Sequence, residues 1–346
     1  MTLTPTINKV LPAAALPGGE VILSCENFDA SNFRICKALF GNTPGRITSA
    51  STKRVIVTAP EIKNPVDATA KLKLMVGDIA SNTVDFKVAE KLADNLHPVT
   101  NPAFDPETGN IYVTLSGSRG QKVPVSVWKI SPSGDTSPFL SNIVNPTGIA
   151  FDKDGTMYVS SRHDSNIYRI SPFKEAEPFV KNLGIATGIV FDKLGNLYVG
   201  DRQGTIYKVS NLGEAHSFAT LEPSVSAYHL AFGLDDYLYV TGPTASSYES
   251  VMRISPSGQV SAFYTGLGRP QGLAFDTNGN LYVVASLYGH RGIVKITANK
   301  EIELFISGNS LVGLAFDDIG NVIVASTHEI HRVSLGVKGV LAANWF

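Results

Sequence analysis

A chain of 346 residues that is 43% hydrophobic and 17% charged can bury a large core, and this composition excludes a disordered polypeptide. Its 29 Lys and Arg are balanced by 30 Asp and Glu, so no net field recruits nucleic acid or an anionic membrane, and neither is expected as a partner. No run reaches the roughly 18 apolar residues of a membrane span.

The chain opens MTLTPTINKVLPAAALPGG, where Pro12 and Pro17 break an apolar piece too short for a signal-peptide core. This points to the cytoplasm, or to the periplasm or secretion if a leader was removed. From there to residue 88, EVILSCENF, FRICKALFG, RVIVTAP, AKLKLMVG and TVDFKVA read as strands, with GG, TPG and NP as turn signals. So many short strands suit a small immunoglobulin-like β-sandwich over residues 1–88. Cys25 and Cys36 have neither CxxC spacing nor a neighbouring His cluster, so a zinc or redox site is not expected. Burial as free thiols and pairing across strands both stay open. Residues 86–96 contain no Gly/Ser linker, which predicts that the N-terminal part is held in a fixed arrangement against the rest of the chain.

Residues 89–346 are repetitive. TGIAFDKDGTMYV from Thr147 recurs as NPAFDPETGNIYV, TGIVFDKLGNLYV, YHLAFGLDDYLYV, QGLAFDTNGNLYV and VGLAFDDIGNVIV, which makes six copies. Their phenylalanines, Phe104, Phe151, Phe191, Phe232, Phe275 and Phe316, are spaced 40 to 47 residues apart. Period-two alternation rich in Tyr, Val, Ile and Phe predicts strands, and each copy is followed by a third strand such as NIYRISP. In the first five units a fourth strand is centred on Phe139, Phe179, Phe218, Phe263 and Phe305. Four antiparallel strands at this period predict an all-β, six-bladed β-propeller over 89–346. The Asp and Gly of each turn, Asp152 and Gly155 for example, read as turn formers, except that Gly233 and Asp236 replace them in the fourth unit. Either AEKLADNL (89–96) or KGVLAANW (338–345) can supply the outer strand that closes the ring.

On these residues the N-terminal stretch PTINKVLPAAALPGGEVILSCENF, with ALFG and the late SN, resembles an IPT/TIG immunoglobulin-like domain. The repeats resemble NHL repeats and the gluconolactonase and senescence-marker group of propellers. That resemblance implies lactone hydrolysis at a divalent metal, usually calcium, held by Asn or Asp just before the innermost-strand glycine. Here those positions are Thr100, Thr147, Thr187, Tyr228, Gln271 and Val312. None is a carboxylate or Asn, so no metal or other cofactor is expected, with calcium only if the gluconolactonase reading holds.

The loops after the second strands carry Arg119, Arg162, Arg202, His290, Arg291 and His328. An Arg-rich rim suits a carboxylate, a phosphate or an acidic protein. The expected function is therefore a non-enzymatic binding or scaffold propeller for an acidic protein partner or small anionic ligand. The alternative is a gluconolactonase-like hydrolase with a non-standard site around Tyr228, His229 and His163. Asp164 and Asp201 adjoin the arginines and are expected to pair with them.

Overall fold

The computed structural model describes residues 4–62, 68–118, 120–245 and 250–341. In the N-terminal part, strands Thr6–Leu11, Glu20–Glu26, Arg54–Thr58 and Thr43–Ala50 pair in that order. Thr43–Ala50 also pairs with Cys36–Phe40, and the ladder continues through Thr69–Val76 to Val84–Val88. Two expectations need correction: TPG opens the strand Thr43–Ala50 instead of making a turn, and Phe33–Ile35 is a single 3-10 turn. Leu23, Phe28, Phe40, Leu72, Leu74 and Phe86 form the fully buried centre of this part. Cys25 and Cys36 are buried free thiols, and burial raises the pKa of both.

The N-terminal strands do not stand apart from the repeats. Ala14–Ala15 pairs in parallel with Val84–Val88 on one side and with Ile302–Ser307 on the other, which joins the N-terminal strands and the fifth repeat into one 13-stranded sheet. The junction is dry, since Ala14, Ala15 and Leu16 are all buried, and the Leu16 N–H donates to the Ser307 carbonyl at 2.8 Å. Burying about three apolar side chains and a shared ladder fixes the two parts together, as the missing linker predicts.

The repeats build a β-propeller. Where six separate blades are expected, five four-stranded antiparallel sheets stand alone, while the fifth repeat (Leu273–Phe275, Leu281–Leu287, His290–Ile296, Ile302–Ser307) lies inside the 13-stranded sheet. The ring's packing explains the repeated Tyr and Phe. Each second-strand tyrosine stands edge-on between the outer-strand phenylalanine of its own unit and the innermost phenylalanine of the next. Tyr158, for example, lies 5.2 Å from Phe179 and 5.0 Å from Phe191, centroid to centroid. Tyr112, Tyr198, Tyr239 and Tyr282 repeat the arrangement, which is worth about 0.5–1.5 kcal/mol per ring pair beyond burial. In the last unit Ile323 replaces the tyrosine and packs in the cluster that includes Phe104.

The last sheet is completed by Glu90–Ala93, which pairs with Ile330–Ser334. Arg332 locks this closure by donating to Glu90 from Nε (3.0 Å) and Nη2 (2.8 Å). The competing segment goes elsewhere: the Val340 N–H donates to the Phe275 carbonyl, and the Lys338 carbonyl accepts from Thr277. Residues 342–345 of that segment lie outside the described residues. Among the described residues no helix is long and apolar enough to cross a membrane.

Candidate functional site

The innermost strands start at one end of the channel, where Pro146 pairs with Ser161, and leave at the other, where Phe151 pairs with Met157. The exit half holds an open cavity of about 210 Å³ whose lining includes Ile149, Phe151, Phe191, Phe232, Leu273, Val340 and Leu341. The loops after the second strands gather at the entry end.

At the entry level, Thr100, Thr147, Thr187, Tyr228 and Val312 are buried and Gln271 is half-buried. Hydroxyl-to-carbonyl bonds tie these positions to one another and to the second strands. Thr100 Oγ1 donates to the Thr147 carbonyl (2.6 Å), Ser160 Oγ to the Thr187 carbonyl (2.5 Å), and Thr187 Oγ1 to the Gly200 carbonyl (2.8 Å). Thr241 Oγ1 donates to the Gln271 carbonyl. A glycine follows Thr147, Thr187, Gln271 and Val312 and lets the strands close up there, because a Cβ at Gly272 would stand 2.5 Å from Gly313 Cα; after Tyr228 the position is taken by His229. In the first unit Asn101 takes the glycine position. Its side chain donates to the Leu273 carbonyl (2.9 Å) and accepts from the Leu314 N–H (3.2 Å), crossing between units.

This arrangement tests the calcium that the resemblance implies. Calcium takes six to eight oxygens, carboxylates among them. Here the hydroxyls of Thr100, Thr147 and Thr187 donate to carbonyls, Tyr228 Oη donates to the Glu222 carbonyl, the Gln271 amide is neutral, and Val312 has no side-chain oxygen. Among the described residues no group of three or more His, Cys, Asp or Glu converges. The residues present do not fit calcium.

His229 and Tyr228 come together in the channel wall, both 2% exposed. Burial pushes the His229 imidazole down to about 3, so it is neutral at physiological pH, and its Nδ1 has no hydrogen-bond partner among the described residues. Burial, then Asp201 and Glu222, push the Tyr228 phenol up to about 12. His163 is not brought to them. It lies exposed on the rim loop beside Gly120.

The rim residues do not form one patch. Arg162 Nη2 donates to Ser116 Oγ (3.0 Å), and burial together with the nearby Arg202 charge lowers its pKa. Arg202 donates to the carbonyls of Ser224 (3.1 Å) and Val225 (2.9 Å). Among the described residues neither arginine pairs with a carboxylate, which corrects the expected ion pairs. Asp201 instead accepts from the N–H groups of Ile185 (2.8 Å) and Gln203 (3.1 Å), and Asp164 from the Tyr168 hydroxyl. His290 Nδ1 lies 3.0 Å from Glu20 Oε2 of the N-terminal strands, and His328 lies beside His97. Arg119 lies outside the described residues. Arg291 is exposed at a cavity of about 500 Å³, whose lining includes Arg269, Gln271, Ser286 and Ser310 but no carboxylate. Sequence reasoning misses Arg269 and Asn101. Arg269 stands two residues before Gln271, and Asn101 occupies a glycine position of the repeat.

The fold is that of an all-β protein with a β-propeller. No protein-family model and no curated protein matches the chain. Among solved structures, it is similar to a gluconolactonase from Xanthomonas campestris (16% identity, TM-score 0.62), covering 86% of this chain and 97% of that one. It is also similar to a virginiamycin B lyase from Staphylococcus aureus, catalytically inactivated by a histidine-to-alanine change (16%, TM-score 0.53), covering 87% and 99%. An auxiliary nutrient binding protein from Bacteroides thetaiotaomicron (14%, TM-score 0.55) matches over 96% of this chain and 97% of its own. At such identities the likeness is one of fold.

Proposed function

We propose that this protein is a non-enzymatic binding protein whose arginine-bearing channel entrance takes a small anionic ligand. One observation carries the reading: among the described residues, Arg162, Arg202 and Arg291 lie at one end of the propeller with no carboxylate partner. Guanidinium groups without a carboxylate partner, one of them (Arg162) half-buried, favour an anion, which supplies the missing charge and planar acceptors. The Thr100 and Thr187 hydroxyls given to carbonyls and the buried, neutral His229 weigh against a gluconolactonase-like hydrolase at the channel wall, because metal ligands are lacking there and His229 is closed to a substrate. The match to a nutrient-binding propeller over 96% of this chain, N-terminal strands included, supports the same choice. Within this proposal the fifth repeat counts as the sixth blade of a closed ring, and the N-terminal strands as an IPT/TIG-like unit sharing its sheet.

Calorimetric titration with glucuronate, gluconate and glucose 6-phosphate at low and high salt tests the reading, alongside a gluconolactone hydrolysis assay with added calcium. Salt-sensitive binding without turnover, lost in the double variant Arg162→Glu/Arg291→Glu, is expected. Turnover, or binding that survives both charge reversals, would overturn it.

A further inference from the structure

We infer that the ligand's seat is the cavity between the fifth and sixth repeats, and that it takes a polyhydroxylated small anion. This rests on the anion-binding reading and narrows it to one place and one ligand class. The cavity's volume, about 500 Å³, lies in the usual range for small-ligand sites. Its backbone is already locked. Gly268 and Ser286 exchange two N–H···O bonds of 2.8 Å, Gln271 N–H donates to Val284 (2.8 Å), Gly308 N–H to Arg291 (3.1 Å), and Thr327 N–H to Ser310 (2.9 Å).

Four of its polar side chains, by contrast, are unspent. The Gln271 amide, the Ser286 and Ser310 hydroxyls and the Arg291 guanidinium have no hydrogen-bond or ionic partner among the described residues. Arg269 lines the same cavity. Polar groups held on a fixed frame without partners bind a ligand at little ordering cost. Their chemistry reads out the ligand: the Arg291 guanidinium for a carboxylate or phosphate, and the amide and hydroxyl groups for neighbouring hydroxyls. Arg162 and Arg202 differ, since each spends donors on protein oxygens and neither lines this cavity.

The test is titration of the full chain with glucuronate, glucose 6-phosphate and neutral glucose, in the native protein and in Arg291→Glu, Ser286→Val and Arg162→Glu. Both anions are expected to bind in preference to glucose, and whichever binds more tightly identifies carboxylate or phosphate as the recognised group. Affinity is expected to fall about tenfold or more in Arg291→Glu and several-fold in Ser286→Val, whose neutral change leaves the surface charge and its steering intact. In Arg162→Glu only a small, salt-dependent loss is expected. Circular dichroism confirms that each variant is folded. If Arg162→Glu loses binding as much as or more than Arg291→Glu, the cavity is not the seat although the anion-binding reading stands. If glucose binds as well as the anions, the ligand class is wrong, and if no anion binds the native protein, both readings fall.

Discussion

The Gly188 N–H donates to the Tyr228 carbonyl at 3.0 Å, and a Cβ built at Gly188 would stand 2.3 Å from that same oxygen. The glycine after Thr147, Thr187, Gln271 and Val312 therefore serves the close approach of neighbouring innermost strands. Gly188→Ala is expected to destabilise the protein by about 1–3 kcal/mol, because the wall must move to admit one methyl group. Chemical denaturation reads this directly, and an unchanged midpoint would mean that the ring gives way more easily than its bonding shows.

Asp276 holds its turn with four accepted bonds, from the N–H groups of Asn278 (2.9 Å) and Asn280 (2.8 Å), the Asn280 side chain (2.8 Å) and the Tyr282 hydroxyl (3.1 Å). In the fourth unit Gly233 stands in its place, and Asp235, two residues later, accepts from the Tyr239 hydroxyl (2.9 Å) and the Tyr237 N–H (3.3 Å). Asp236 adopts the left-handed conformation (φ 63°) that glycine takes elsewhere. Asp276→Ala is expected to cost about 2–4 kcal/mol, since it strands buried donors, and Asp235→Ala about 1 kcal/mol. Paired urea titrations of the two variants check the ratio.

Contacts that repeat are legible in the sequence. The Tyr and Phe of LYV and AFD recur because every unit meets its neighbour in the same way, so the propeller can be read from the repeats, down to the outer strand in 89–96 that aligns with 176–183. Contacts made once leave no period. Ala14–Ala15 joins Val84–Val88 to Ile302–Ser307 through two alanines, with nothing in their type to announce it. Glu20 meets His290 across 270 residues of chain. The rim arginines are legible as residue types, but only the structure shows that Arg162 and Arg202 turn to protein oxygens while Arg291 faces a cavity.

Arg162 has its charge held in a half-buried place next to Arg202 with no carboxylate partner among the described residues. Arg162→Met keeps the apolar stem and removes the repulsion. Stability is expected to stay level or rise by up to about 1 kcal/mol, with the gain largest at low salt, where the like charges are least screened. Thermal melts across a salt series check this. A stabilising effect of salt on the native protein should shrink in the variant, and a large loss of stability would show that the bond to Ser116 outweighs the repulsion.

His229 makes stability depend on pH. Its folded pKa is depressed to about 3 from an ordinary 6.5, so between these values the unfolded chain takes up a proton that the folded chain refuses. Where the unfolded state binds more protons, stability rises with pH, so this contribution is complete above about 6.5 and falls as pH drops toward 3. The limiting slope is about 1.4 kcal/mol per pH unit for this one group. His331 adds in the same direction, because its burial outweighs the pull of Glu329 at 3.5 Å. Unfolding free energies measured between pH 7 and 5, above the range where most carboxylates titrate, isolate the histidines. His229→Met is expected to flatten the slope without abolishing it, since His331 still contributes. A slope that His229→Met leaves unchanged would mean that the imidazole takes up its proton in the folded ring, and that the channel wall is wetter than its packing implies.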